Sequence, residues 1–188
     1  MKTMNIKLIV CLMLVTGITG ANFVYAQSKN DTKKVKKAAE KVMLTANFYA
    51  QDTLINLREF VLEADYLQGR GGQMVSVSRN INYVKVLHGK GTIQTGSNTA
   101  VGFNALGGVT TEGNISNYKV TGNTKSLTHR ITFDLVSSLG VFNIVINVMA
   151  NNTASATITS TDSTFLTWKG ELVALFNTKV FKGQDTYR

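Results

Sequence analysis

The chain has 188 residues, 44% of them hydrophobic, no proline, one cysteine and a formal net charge of +9 from Lys+Arg 20 against Asp+Glu 11. That composition excludes collagen-like, low-complexity and disulfide-scaffold proteins. The length suffices for one domain that can bury a core without staples.

Residues 1–26 have the layout of a secretory signal. Lys2 and Lys7 supply the positive start, Leu8 to Val15 the apolar core, and Val24-Tyr25-Ala26 the site at which a signal peptidase would cut. The apolar run ends at Thr16-Gly17, well short of the roughly 20 residues that cross a bilayer, so cleavage is favoured over an uncleaved anchor. Acylation at Cys11 is disfavoured because Val10, not a small residue, precedes it. Cleavage removes the only cysteine, and with it any disulfide, thiolate nucleophile or cysteine metal site. The expected location is exported: periplasmic, outer-membrane-associated or extracellular.

Residues 27–57 read as a basic segment and an amphipathic helix of about five turns. Asn30 or Asp31 is the expected N-cap. Val35, Ala38, Ala39, Val42, Met43, Ala46 and Ala50 recur at three- and four-residue spacing as one apolar stripe. Lys33, Lys34, Lys36, Lys37 and Lys41 occupy the other face, so the basicity of the chain is concentrated there. A solvated face explains these lysines, and Lys33, Lys34, Lys36 and Lys37 also offer weak contact to an anionic membrane surface. Nucleic acid is not an expected partner of an exported chain.

After Leu57 the period changes from helical to two. Phe60, Leu62, Ala64 and Tyr66 are expected on one side of a strand, Glu63 and Asp65 on the other. Further runs follow at 74–78, 81–87, 91–95, 110–120, 127–137, 141–150, 154–161 and 165–176. Nine strands without an intervening helix predict a mainly β fold: a curled antiparallel sheet or barrel-like meander of eight or nine strands, with the helix packed on it or plugging one end. The later strands alternate most cleanly. Ile131, Phe133 and Leu135 oppose Arg130, Thr132 and Asp134; Phe142, Ile144, Ile146 and Val148 form an apolar row; and Leu166, Trp168, Leu172, Ala174 and Phe176 oppose Thr167, Lys169 and Glu171. Asn151-Asn152 is expected to form a two-residue hairpin turn. The β-rich domain spans residues 58–183, leaving 184–188 as a tail.

The order Phe60-Val61-Leu62-Glu63-Ala64-Asp65, Gln94-Thr95-Gly96-Ser97, Gly102-Phe103-Asn104-Ala105-Leu106-Gly107-Gly108-Val109-Thr110, the strand Ala154 to Ser160 and Leu166-Thr167-Trp168-Lys169-Gly170-Glu171-Leu172 resembles the domain of unknown function 4251 family. The resemblance covers about residues 40–183. It implies an exported protein of Gram-negative bacteria with a helix ahead of a β-rich domain, and it supplies no activity and no catalytic residue. Many members carry a proline-aromatic-glycine stretch where this chain has Gly91-Thr92-Ile93-Gln94-Thr95-Gly96, which places it in a divergent branch.

Residues that could carry chemistry are sparse. The stretch Gly102 to Gly108 continues into a strand and lacks a following Gly-Lys-Ser/Thr, so it reads as a bend rather than a phosphate loop, with Phe103 and Asn104 as candidate ligand contacts if exposed. His88 and His129 form no His-x-x-x-His pair, so no metal and no cofactor is expected. His129 shares parity with Ile131 and Phe133 and is expected at the end of the core face. Glu63 and Asp65 read as an outer surface, and no Gly-x-Ser-x-Gly elbow occurs. Tyr66, Tyr83, Tyr118 and Trp168 could line a cavity or a carbohydrate-contacting face, with Tyr83, Tyr118 and Trp168 the candidate ligand contacts and core or cross-strand packing the competing role. The leading functional reading is a non-enzymatic envelope protein that binds a small apolar ligand or a protein partner, with a cavity expected between helix and sheet. The alternatives are a hydrolase using His129, Asp134 and Glu112, and a purely structural surface or vesicle component.

Overall fold

The computed structural model describes residues 6–96, 108–160 and 165–183, with side chains from residue 31 on apart from that of Phe165. The chain divides into two compact units, residues 1–43 and 44–188. One helix, α1 (Ile6–Leu57), precedes nine strands: β1 (Glu59–Gly69), β2 (Met74–Ser76), β3 (Tyr83–Leu87), β4 (Lys90–Thr95), β5 (Val109–Asn123), β6 (Thr128–Ser137), β7 (Gly140–Met149), β8 (Thr153–Ser160) and β9 (Phe165–Ala174).

Helix α1 passes through Asn30 and Asp31 without starting there. With no proline to interrupt it, the helical ladder absorbs a poor helix former for a few tenths of a kcal/mol, about 0.7 at most. Its buried positions also differ from the expected stripe. In the second unit Phe48, Gln51 and Ile55 are buried, whereas Ala46 and Ala50 are exposed. The large apolar side chains Phe48 and Ile55, seven residues apart with Gln51 between them, select the face that packs on the sheet.

Every strand pairing is antiparallel, and neighbours follow chain order from β3 to β9. Pairing of β1 with β9 closes an eight-stranded barrel, with β2 as an extra strand beside the end of β1. Closure removes the long edges that a curled open sheet would leave unpaired. It depends on a close approach at Gly170, where a Cβ atom would stand 1.9 Å from the Glu63 carbonyl oxygen. Glycine alone lets β9 lie that near β1.

Inward residues fill the barrel as alternation predicts. Phe60, Leu62, Val84, Val86, Ile131, Phe133, Leu135, Ile144, Ile146 and Val148 are all buried in one cluster with Trp168 and Leu172. Three expected positions differ, each because an irregularity resets the period. A bulge between Ala64 and Tyr66 adds one residue, so Leu67 packs against the core and Tyr66 is exposed. The 3-10 turn Leu175–Asn177 ends β9 and leaves Phe176 in solvent. The β7–β8 connection is not a two-residue turn: the Asn152 amide donates to the Met149 carbonyl and, of the two asparagines, only Asn152 has positive φ. That pattern is a type I turn followed by a left-handed residue.

Candidate functional site

The two ends of the barrel differ. At one, the last turns of α1 pack across the opening. The His129 ring lies flat on Phe48, the Gln51 side-chain amide donates to the Met149 carbonyl at 2.9 Å and to Asn152 Oδ1 at 2.8 Å, and the Tyr118 hydroxyl donates to the Ile55 carbonyl at 2.8 Å. A bulge between Ser116 and Lys119 directs Tyr118 inward against Phe133, and the Arg58 guanidinium covers its ring 4.5 Å from the centroid. Burial pushes the Tyr118 phenol above the ordinary tyrosine range. Among the described residues, Phe48, Gln51 and Ile55 thus pack where a cavity is expected between helix and sheet, and a recess of about 490 Å³ lies beside this end, lined in part by His129, Val148, Met149 and Ala154.

The opposite end, where β4 and β8 finish and β5 and β9 begin, holds a cavity of about 210 Å³. Its wall is apolar, from Ile93, Val109, Phe142, Ile158, Leu166 and Trp168, and its polar atoms come from Thr95, Thr111 and Ser160. No charged side chain lines it among the described residues. Strand alternation places these groups, since each occupies an inward position of its strand. Ser160 Oγ is buried and has no hydrogen-bond partner among the described residues. A buried hydroxyl left unpaired costs about 1–3 kcal/mol, a cost that a ligand with a matching polar atom would offset. A wider recess of about 650 Å³ adjoins it, bounded by Leu67, Val75, Val77, Ile81 and Gly96, with Leu166 shared between the two.

Trp168 is the expected contact residue that lines the cavity. Tyr83 is buried on the outer side of the barrel wall, where its hydroxyl donates to Gln94 at 3.3 Å. Tyr118 is at the helix-packed end. Phe103 and Asn104 lie outside the described residues, in the connection between β4 and β5 whose described ends, Gly96 and Gly108, flank this end of the barrel. The residues of the hydrolase alternative are not brought together. His129 faces inward, Asp134 faces outward between the side-chain amides of Asn117 and Asn143, and Glu112 pairs with Lys182. No three His, Cys, Asp or Glu side chains among the described residues are grouped to hold a metal ion.

Sequence reasoning missed a second polar cluster outside the barrel wall. Gln94 is fully buried; its amide donates to the carbonyls of Ile81 and Phe181, and its oxygen accepts from Tyr83, Thr110 and the Gly183 amide. Arg79 bonds both Asp65 oxygens and Glu171, which raises its already high pKa. Thr178 donates to Glu63 at 2.6 Å. Alternation assigns Glu63, Asp65, Gln94 and Glu171 to an outer surface, and it gives no signal that nearby chain segments cover or pair them.

The model for the Domain of unknown function (DUF4251) matches residues 43–172. A crystal structure of a DUF4251 family protein from Bacteroides eggerthii aligns with a TM-score of 0.61 and 28% identity, over 73% of this chain and 93% of that one. Among curated proteins none matches. With the family model covering more than half of its length, this helix-and-barrel chain belongs to the domain of unknown function family DUF4251.

Proposed function

We propose that the protein is an exported, non-enzymatic binding module that takes a small apolar ligand into the end of the barrel beside Trp168. The observation that carries this reading is the cavity beside Trp168: six apolar side chains, three hydroxyls and no charge among its described lining. Such a lining favours apolar groups through removal of their surface from water, while the Ser160 hydroxyl, unpaired among the described residues, offers one orienting contact. At about 210 Å³ the cavity is smaller than the roughly 300–1,000 Å³ of drug-sized pockets, so the ligand is small or extends into the adjoining recess. Export rests on Lys2, Lys7, the run Leu8 to Val15 and Val24-Tyr25-Ala26.

Trp168 is the only tryptophan, so its emission reports on the cavity directly. Titration with naphthalene is expected to change that emission saturably, while naphthalene sulfonate, whose charge would be desolvated, has little effect. Ile158→Phe fills part of the cavity and is expected to weaken the naphthalene response at least about tenfold. A response that never saturates, or one that survives Ile158→Phe in a folded variant, overturns the binding site. For export, mass spectrometry of protein recovered from the producing cell is expected to find Gln27 as the first residue; a chain that retains residues 1–26 refutes cleavage.

A further inference from the structure

We infer that the helical segment 31–43 is a docking face for an anionic lipid surface. Within this segment Val35, Ala38, Ala39, Val42 and Met43 are all exposed, with Val35 and Val42 at 69% and Met43 at 58%. Their spacing puts them on one side of the helix, and Lys33, Lys34, Lys36, Lys37 and Lys41 occupy the rest of its circumference. Five lysines stand against only Asp31 and Glu40. Among the described residues the segment thus combines an exposed apolar stripe with a cationic border.

Charge selects the occupant. A second copy of the helix laid along the stripe would bring two lysine-rich borders together, and like charges at that distance oppose association. An anionic bilayer supplies the complementary charge. Each lysine near such a surface contributes about 1 kcal/mol, and the valine and methionine side chains enter the headgroup boundary while the lysine stems reach outward. The arrangement suits an interface, since five lysines in thirteen residues keep the segment out of the hydrocarbon core. This inference is independent of the barrel cavity and stands or falls without it.

Co-sedimentation of the full chain with vesicles tests it, comparing phosphatidylcholine alone with phosphatidylcholine plus phosphatidylglycerol. Residues 8–15 are uncharged and contribute similarly to both vesicle types, but Lys2, Lys7 and Lys29 also favour anionic vesicles, so the loss of preference in the lysine variant is what reads residues 33–37. Expected is a preference for the anionic vesicles that salt weakens. Joint substitution Lys33→Gln, Lys34→Gln, Lys36→Gln and Lys37→Gln is expected to reduce this preference at least about tenfold. Val35→Ser with Val42→Ser should weaken binding while retaining the preference. Trp168 emission verifies that each variant keeps its barrel. Equal binding to both vesicle types, an unchanged preference in the lysine variant, or a stable dimer in sedimentation that Val35→Ser with Val42→Ser dissolves would overturn the inference.

Discussion

The His129 ring stacks on Phe48 with centroids 4.2 Å apart and planes 9° from parallel, and its Nε2 stands 3.1 Å from the Phe48 carbonyl oxygen. A carbonyl only accepts, so Nε2 carries the hydrogen and donates. Nδ1 is left buried without a hydrogen-bond partner among the described residues, with the Asp52 carboxylate 3.8 Å away. One side chain therefore anchors α1 to β6 through both ring area and a hydrogen bond.

His129→Ala removes both and leaves a void, for an expected loss of about 3 kcal/mol. His129→Phe keeps the stack and removes the unpaired Nδ1. The Phe48 carbonyl still accepts its intrahelical bond, so the expected change is within about 1 kcal/mol. Urea unfolding followed by Trp168 emission separates these outcomes, and equal losses in the two variants would show that stacking is not the anchor.

Gly170→Ala is expected to cost about 3 kcal/mol or more. The added methyl would stand 1.9 Å from the Glu63 carbonyl oxygen and 2.9 Å from the Ala64 Cα. Both are backbone atoms, so relief requires β1 and β9 to separate rather than a side chain to rotate. The readout is amide exchange at Val173, which is opposite Val61 in the β1–β9 register, because the neighbouring Leu172 N–H donates to Asn152 on the β8 side and successive amides alternate between the two edges. Faster exchange there, with Ile144 and Ile146 still protected, places the damage at the closing pair, whereas thermal stability equal to that of the parent refutes the constraint.

These two sites mark how far the sequence is readable. Strict alternation in β6 and β7 exposes their inward rows directly, because each pair of residues advances the same face. The bulges beside Asp65 and Asn117 are illegible, since one extra residue reverses parity without changing composition. The barrel cavity is half legible: Trp168 and Ile158 follow from alternation, but closure depends on residues such as Ala64 and Gly170 that are distant in the chain. The cover over Gln94 is not legible at all, because it is made by carbonyl and amide groups of Phe181 and Gly183, which every residue possesses.

Acid sensitivity is expected at Asp134. Asn117 and Asn143 donate to its two oxygens at 2.7 and 2.9 Å and hold the carboxyl below the usual range. Because the folded pKa is depressed, the contribution is present above the unfolded value of about 3.9 and is lost as pH falls through the folded pKa. Solvent screens this exposed carboxylate, so the effect at neutral pH is well under about 1 kcal/mol. Stability of the parent minus that of Asp134→Asn should be flat from about pH 7 to 5 and change only below about pH 4. A difference that titrates near neutrality would assign the dependence to another group.

Gln94 should control the C-terminal segment specifically. Its donors reach Ile81 at 3.2 Å and Phe181 at 2.7 Å, and its oxygen accepts the Gly183 amide at 2.7 Å. Gln94→Leu preserves bulk but removes every one of these bonds, for an expected loss of about 2–3 kcal/mol. Gln94→Glu keeps an acceptor for Gly183 yet turns a carboxylate oxygen toward the Phe181 and Ile81 carbonyls, where no donor remains. It should therefore be at least as damaging as Gln94→Leu, although its shape is closer to glutamine. In both variants the Phe181 and Gly183 amides are expected to exchange faster by about tenfold or more, while those of Ile144, Ile146 and Val148 stay slow. Phe181 also donates to the Asn80 carbonyl at 2.7 Å, so exchange at Phe181 alone could be held back by that bond. Gly183 is the sharper reporter: if its amide remains protected in Gln94→Leu, the segment is held by other contacts and Gln94 is not its anchor.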